Sequence, residues 1–143
     1  MIKAFTLMTI IAALAMGAPG QRARNNTDEK LKARNAPDAF IYSASAFGPD
    51  KNGDSHFTIE VGNTGSKTIT VIEWEYYRSG EGQSSEARSE AKFRNDKLRL
   101  VPDERRKLTE QVHRYTDDFV KSFNLDAVRI TSVEYDDGST WKR

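Results

Sequence analysis

Phe57-Thr58-Ile59-Glu60-Val61 alternates apolar and polar residues without interruption. Successive side chains of an extended strand point to opposite faces, so this run places Phe57, Ile59 and Val61 on a buried face and Thr58 and Glu60 in water. Turn-forming residues flank it. Gly48-Pro49-Asp50-Lys51-Asn52-Gly53-Asp54 precedes it and Gly62-Asn63-Thr64-Gly65-Ser66 follows, so the strand is bounded on both sides by residues that favour tight bends.

The same grammar extends in both directions. Upstream, Phe40 to Phe47 is a first strand. Downstream, Thr68 to Tyr77 is a long strand with Ile72, Trp74 and Tyr76 on one face and Val71, Glu73 and Glu75 on the other, which nominates Trp74 for the centre of the core. Arg78 to Ser89 is a polar loop rich in Gly and Ser, the longest candidate for a functional loop. Ala91 to Arg94 and Leu98 to Val101 are short strand pieces, Pro102-Asp103-Glu104 is a turn, and Lys107 to Tyr115 is a strand with Leu108 and Val112 on one face. Thr116 to Leu125 carries a helical cap and acids in its first turn, with Phe119, Val120 and Phe123 at helical spacing, and predicts about one helical turn. Val128 to Tyr135 and Ser139 to Lys142 flank Asp136-Asp137-Gly138, a hairpin signal. About seven short strands with turns between them predict an all-β, immunoglobulin-like antiparallel β-sandwich over residues 40–143, with at most one short helix.

The first twenty residues have another character. Lys3 leads into an apolar run from Phe5 to Met16 that ends in Ala and Gly. Such a run is shorter than the roughly twenty residues needed to cross a bilayer, and it predicts a cleaved secretory signal peptide over residues 1–20. Small residues at cleavage spacing occur at Ala13 and Ala15, at Ala15 and Gly17, and at Ala18 and Gly20. The competing reading, a buried N-terminal helix, lacks a comparable apolar partner later in the chain. The expected destination is the periplasm or the exterior, with no membrane anchor left after cleavage.

Residues 21–39 are charged and polar, with Leu31 their large aliphatic residue before Phe40, and they predict a flexible segment unable to offset its ordering entropy. Arg22, Arg24, Lys30, Lys32 and Arg34 lie there among acids and without aromatics, which suits a solvated tether better than a surface contact. Asn25-Asn26-Thr27 is a glycosylation sequon that matters only in a glycosylating host.

Composition narrows the function. The chain carries 22 basic and 21 acidic residues, and loss of Lys3 with the leader balances them, so no long-range field recruits nucleic acid. There are no cysteines. Neither a disulfide framework nor lipid attachment through an N-terminal cysteine is therefore available, and stability must come from the core.

Chemistry-bearing motifs are sparse. No nucleophile elbow, phosphate loop, zinc-protease helix or thiol occurs, so no catalytic, cofactor-binding or metal residue is assigned and no cofactor is expected. His56 and His113 lie on separate segments without metal-ligand spacing. Asp117-Asp118 and Asp136-Asp137 are explained by a helix start and a turn. Asp50, Asn52 and Asp54 place oxygen ligands at alternate positions as calcium loops do, but Ser55 stands where Gly is expected and Val61 where a bidentate Glu is needed. A hairpin turn accounts for them.

The segments Val61-Gly62-Asn63-Thr64-Gly65-Ser66-Lys67-Thr68-Ile69, Ile72-Glu73-Trp74-Glu75-Tyr76 and Val133-Glu134-Tyr135-Asp136-Asp137-Gly138-Ser139-Thr140-Trp141 resemble a group of uncharacterised exported bacterial β-sandwich domains of immunoglobulin-like or fibronectin-like type. The resemblance spans roughly Phe57 to Arg143 and implies a fold; it transfers no catalytic or binding residue. The expected function is an exported noncatalytic module that binds a protein or glycan in the cell envelope or outside the cell, through the Arg78 to Ser89 loop with Trp141, Lys142 and Arg143. A secreted hydrolase or inhibitor with an unfamiliar site is the alternative. The competing role for Trp141 is closure of the core.

Overall fold

The computed structural model describes residues 28–78, 88–113, 120–121 and 123–143. Seven strands occur among them: β1 (Ala39–Phe47), β2 (Asp54–Asn63), β3 (Ile69–Arg78), β4 (Arg88–Asn95), β5 (Arg105–His113), β6 (Val128–Tyr135) and β7 (Thr140–Lys142). They form two antiparallel sheets, one ordered β1-β2-β5 and the other β4-β3-β6-β7. The all-β sandwich expected from the spacing of turns is the fold of the chain.

Alternation in β2 has the predicted consequence. Phe57, Ile59 and Val61 are fully buried, and the opposite face of β3 contributes Ile72, Trp74 and Tyr76. β6 adds Val128, Ile130, Val133 and Tyr135, so one apolar cluster joins both sheets. Aromatic rings fill its middle. Trp74 packs on Phe93 of β4 with ring centroids 4.4 Å apart, and Phe123 meets Phe57 at 5.0 Å and Tyr76 at 5.3 Å. The Trp74 indole N–H donates to Asn95 Oδ1 at 3.0 Å, which satisfies the one polar atom that burial would otherwise strand.

Turns are held by side chains as well as by main chain. Asn63, at the end of β2, donates to the carbonyls of Lys67 at 2.7 Å and Leu100 at 2.9 Å, while its Oδ1 accepts from Gly65 N–H at 3.0 Å. One amide thus ties the β2–β3 turn to the segment before β5. Gly48 has φ +121, and an added Cβ would sit 2.7 Å from the carbonyl oxygen of Asp54, so the turn into β2 has room for no side chain there.

Two sequence expectations change. Leu98 to Val101 is not a strand: Leu100 makes an isolated bridge with Ile69, because the β4 ladder occupies that side of β3 from Ile72 onward and leaves only its first residues open. The polar segment over residues 21–39 is not a uniform tether, since residues 28–34 are helical and Asn35, Ala36 and Ala39 are buried. Within the expected helix at Thr116 to Leu125, residues 120–121 are helical and a 3-10 turn follows at Leu125–Ala127; residues 114–119 and 122 lie outside the described residues. The leader and the middle of the Arg78 to Ser89 loop, residues 79–87, also lie outside them.

Candidate functional site

The 48–54 turn spends its oxygens on itself and on its neighbours. Asp50 Oδ1 accepts the N–H groups of Asn52 at 2.8 Å and Asp54 at 3.1 Å, and the Asp54 N–H, followed by that of Asn52, holds the Asp50 carboxyl below its ordinary value. Asp54 turns Oδ2 to Gln111 Nε2 and Oδ1 to His113 Nδ1, both at 2.7 Å. Cross-strand pairing of Asp54 with His113 brings that histidine to the turn. His56 stacks on Phe47, with ring centroids 4.6 Å apart and an interplanar angle of 10°, and its Nε2 lies 3.7 Å from Asp50 Oδ2. The two histidines therefore face two different carboxylates. Among the described residues, no group of three or more acidic, histidine or cysteine side chains is arranged to hold a metal ion.

Asp137 works as a turn residue. It pairs with Lys67 Nζ at 2.7 Å and accepts from the main chain and hydroxyl of Ser139; the Lys67 ammonium, then the Ser139 bonds, push its carboxyl far below the ordinary range. Asp117 and Asp118 lie outside the described residues.

A concave apolar surface forms elsewhere, where the helical segment 28–34 crosses the sandwich near β7. Leu31, Ala36, Pro37, Phe40 and Trp141, with Lys32 and Asn35 at the polar margin, line a recess of about 410 Å³. Trp141 is half-buried. It packs against the core and also lines this recess.

Long-range hydrogen bonds build the wall. Arg143 donates from Nη2 to the Asn35 carbonyl at 2.9 Å and from Nε to the Ile130 carbonyl at 3.0 Å, which latches the helical segment to β6. Asn35 donates to the Leu31 carbonyl at 2.9 Å and accepts the Ile41 N–H at 2.8 Å, joining the end of the helical segment to β1. The Arg143 guanidinium lies 5.4 Å from the centre of the Trp141 ring. Burial, followed by the nearby Arg129 charge, lowers the affinity of Arg143 for its proton, although a guanidinium remains charged at any physiological pH.

Beneath the helical segment is a buried ion pair. Glu75 is 3 % exposed although it faces away from the core, because Arg129 covers it with Nε 2.5 Å from Oε1 and in turn lies over the Tyr77 ring at 4.9 Å. Tyr77 Oη donates to the Asp126 carbonyl at 2.9 Å. Arg34 Nη1 of the helical segment lies 3.8 Å from Asp126 Oδ1, which ties this cluster to that segment.

Of the three C-terminal residues that the sequence nominated, Trp141 lines the recess, Arg143 lies beside the Trp141 ring and Lys142 does not line it; Leu31, Asn35, Ala36, Pro37 and Phe40 were not nominated. One signal was present: Asp28 and Glu29 lead the helical segment while Lys32 and Arg34 trail it, the charge order that complements a helix dipole. No protein-family model matches the chain, and no curated protein or solved structure is similar to it.

Proposed function

We propose that this protein is an exported, noncatalytic β-sandwich module of immunoglobulin-like or fibronectin-like type that binds a protein or glycan partner in the cell envelope or outside the cell. The observation that carries the reading is the apolar recess walled by Leu31, Phe40 and Trp141. Its size and apolar lining, with a few polar groups at the margin, are those of surfaces that bind through shape and burial. The two-sheet antiparallel architecture supports the narrower fold type, while the strand order departs from the constant-type immunoglobulin one, since β4 stays beside β3 and does not join β1-β2-β5.

The partner would place a large apolar side chain or a sugar face against Trp141, with Lys32 fixing orientation at the rim. Truncating such an aromatic anchor typically costs 2 kcal/mol or more of binding, roughly thirty-fold in affinity. The test is capture from host envelope extract by the immobilised protein and its Trp141→Ala variant, with mass spectrometry of retained proteins and glycans. A saturable partner retained by the parent and lost by the variant supports the reading. Equal retention by both, or none by either, overturns it and directs attention to the alternative of a hydrolase or inhibitor.

A further inference from the structure

The exposed edges of the two sheets differ sharply in charge. β4 carries Lys92 and Arg94, β5 carries Arg105, Arg106, Lys107 and Glu110, and β7 is three residues long and includes Lys142. β1 reads Ala-Phe-Ile-Tyr-Ser-Ala-Ser-Ala-Phe over Ala39–Phe47, with no charge, proline or glycine, although it has only β2 as a ladder neighbour. Edge strands are ordinarily protected from pairing by charges, prolines, bulges or covering segments.

One half of β1 has such protection and the other does not. Asn35 Oδ1 takes the Ile41 N–H at 2.8 Å, and Ala36 N–H donates to the Ala39 carbonyl at 3.1 Å, so the chain caps its own edge up to Ile41. The register then shifts between Ile41 and Ser43, leaving Tyr42 as the inserted residue. Alternation of antiparallel pairing past that insertion turns the main-chain groups of Ala44 and Ala46 outward. The 3-10 turn Leu125–Ala127 packs near β1, yet among the described residues no main-chain hydrogen bond outside the β1–β2 ladder reaches residues 42–47.

We propose that residues 43–47 of β1 pair antiparallel with the same segment of a second copy of this chain, joining two three-stranded sheets into one of six strands. Ser45 lies on the two-fold axis opposite its counterpart, Ala44 faces Ala46 of the other copy, and Ser43 faces Phe47. This register keeps like faces together, as an isologous interface demands. It also buries Phe47, which is 61 % exposed in the single chain. Charge permits this edge, and not the others, to meet its own copy: self-pairing of β4 or β5 would set several cations close to one another, whereas self-pairing of β1 sets none. Small side chains at Ser43, Ala44, Ser45 and Ala46 let the two backbones approach. The contact is separate from the Trp141 recess, so neither reading depends on the other.

The test is sedimentation velocity of the purified protein from about 1 to 200 µM, beside Ser45→Lys and Ser43→Lys. Ser45 is exposed and its hydroxyl bonds to no other group among the described residues, and thermal melts by circular dichroism check that both variants keep the fold. A concentration-dependent dimer of the parent, a dissociation constant raised at least tenfold in Ser45→Lys, and slowed exchange of the Ala44 and Ala46 amides at high concentration are expected. A parent that stays monomeric at 200 µM overturns the proposal. So does a dimer unaffected by both lysines, or an edge that captures foreign extended peptides while the chain remains single.

Discussion

Trp74 shows how one side chain sets several contacts at once. It is fully buried, packs on Phe93 and spends its indole N–H on Asn95, whose own Nδ2 continues to Glu110 Oε1 at 2.6 Å. The bond therefore bridges both sheets. Trp74→Ala is expected to cost about 3–5 kcal/mol in urea unfolding, from lost transfer free energy and the cavity left behind. Tyr135 gives a different signature, because burial and then the hydrogen bond from its hydroxyl to Asp38 Oδ2 raise its phenol from 10.0 to about 12. A group whose folded value is raised stabilises fully below its unfolded value and loses that contribution as pH rises through the folded one. Stability is thus expected to fall between pH 10 and 12 in the parent, with that component absent from Tyr135→Phe. Absorbance titration at 295 nm, beside melts at each pH, checks both.

At the scale of elements, turns and edges decide which strands meet. Asn63 is buried and serves three main-chain groups. Asn63→Ala strands the Lys67 carbonyl and the Gly65 N–H and takes one of two donors from the Leu100 carbonyl, which keeps the Ile69 N–H; an expected cost of about 2–4 kcal/mol follows from desolvated groups left without partners, and denaturant midpoints measure it. The β6–β7 hairpin is closed by Gly138 at φ +80 and by Asp137, with Lys67 reaching across from the β2–β3 connection. Because the folded Asp137 carboxyl lies below its ordinary 3.8, its contribution is present above that value and is lost as pH falls below it. Asp137→Asn should melt lower than the parent at pH 7, and the gap should narrow below about pH 4; a gap independent of pH would remove the ionic explanation. The 48–54 turn follows the same logic, since oxygens that the sequence spaces like calcium ligands are consumed by local N–H groups and by β5. Spacing alone does not reveal which way a carboxylate turns.

At the scale of the molecule, one apolar cluster spans both sheets, and neither sheet has a second core to retain if the other opens. Tryptophan fluorescence, reporting Trp74 and Trp141, and far-ultraviolet circular dichroism are expected to give coincident urea transitions. Two separated transitions would show the sheets to be independent. The sequence by itself determined the strands with clean period-two alternation, above all β2, because side-chain direction in an extended chain is a local property. It also determined the burial of Trp74 and the hairpin at Asp136-Asp137-Gly138, whose backbone demands a residue tolerant of positive φ. Only the tertiary structure decided that β4 remains with β3, since either sheet offers an edge with open hydrogen bonds. It alone decided that residues 28–34 are helical and packed: Leu31 supplies little apolar area, and the segment is held by Arg143, more than a hundred residues away in the chain. The recess at Trp141 arises from that junction. A recess assembled from segments a hundred residues apart has no local period, charge run or spacing to announce it, which is why the residues that line it became legible only once the sheets had closed.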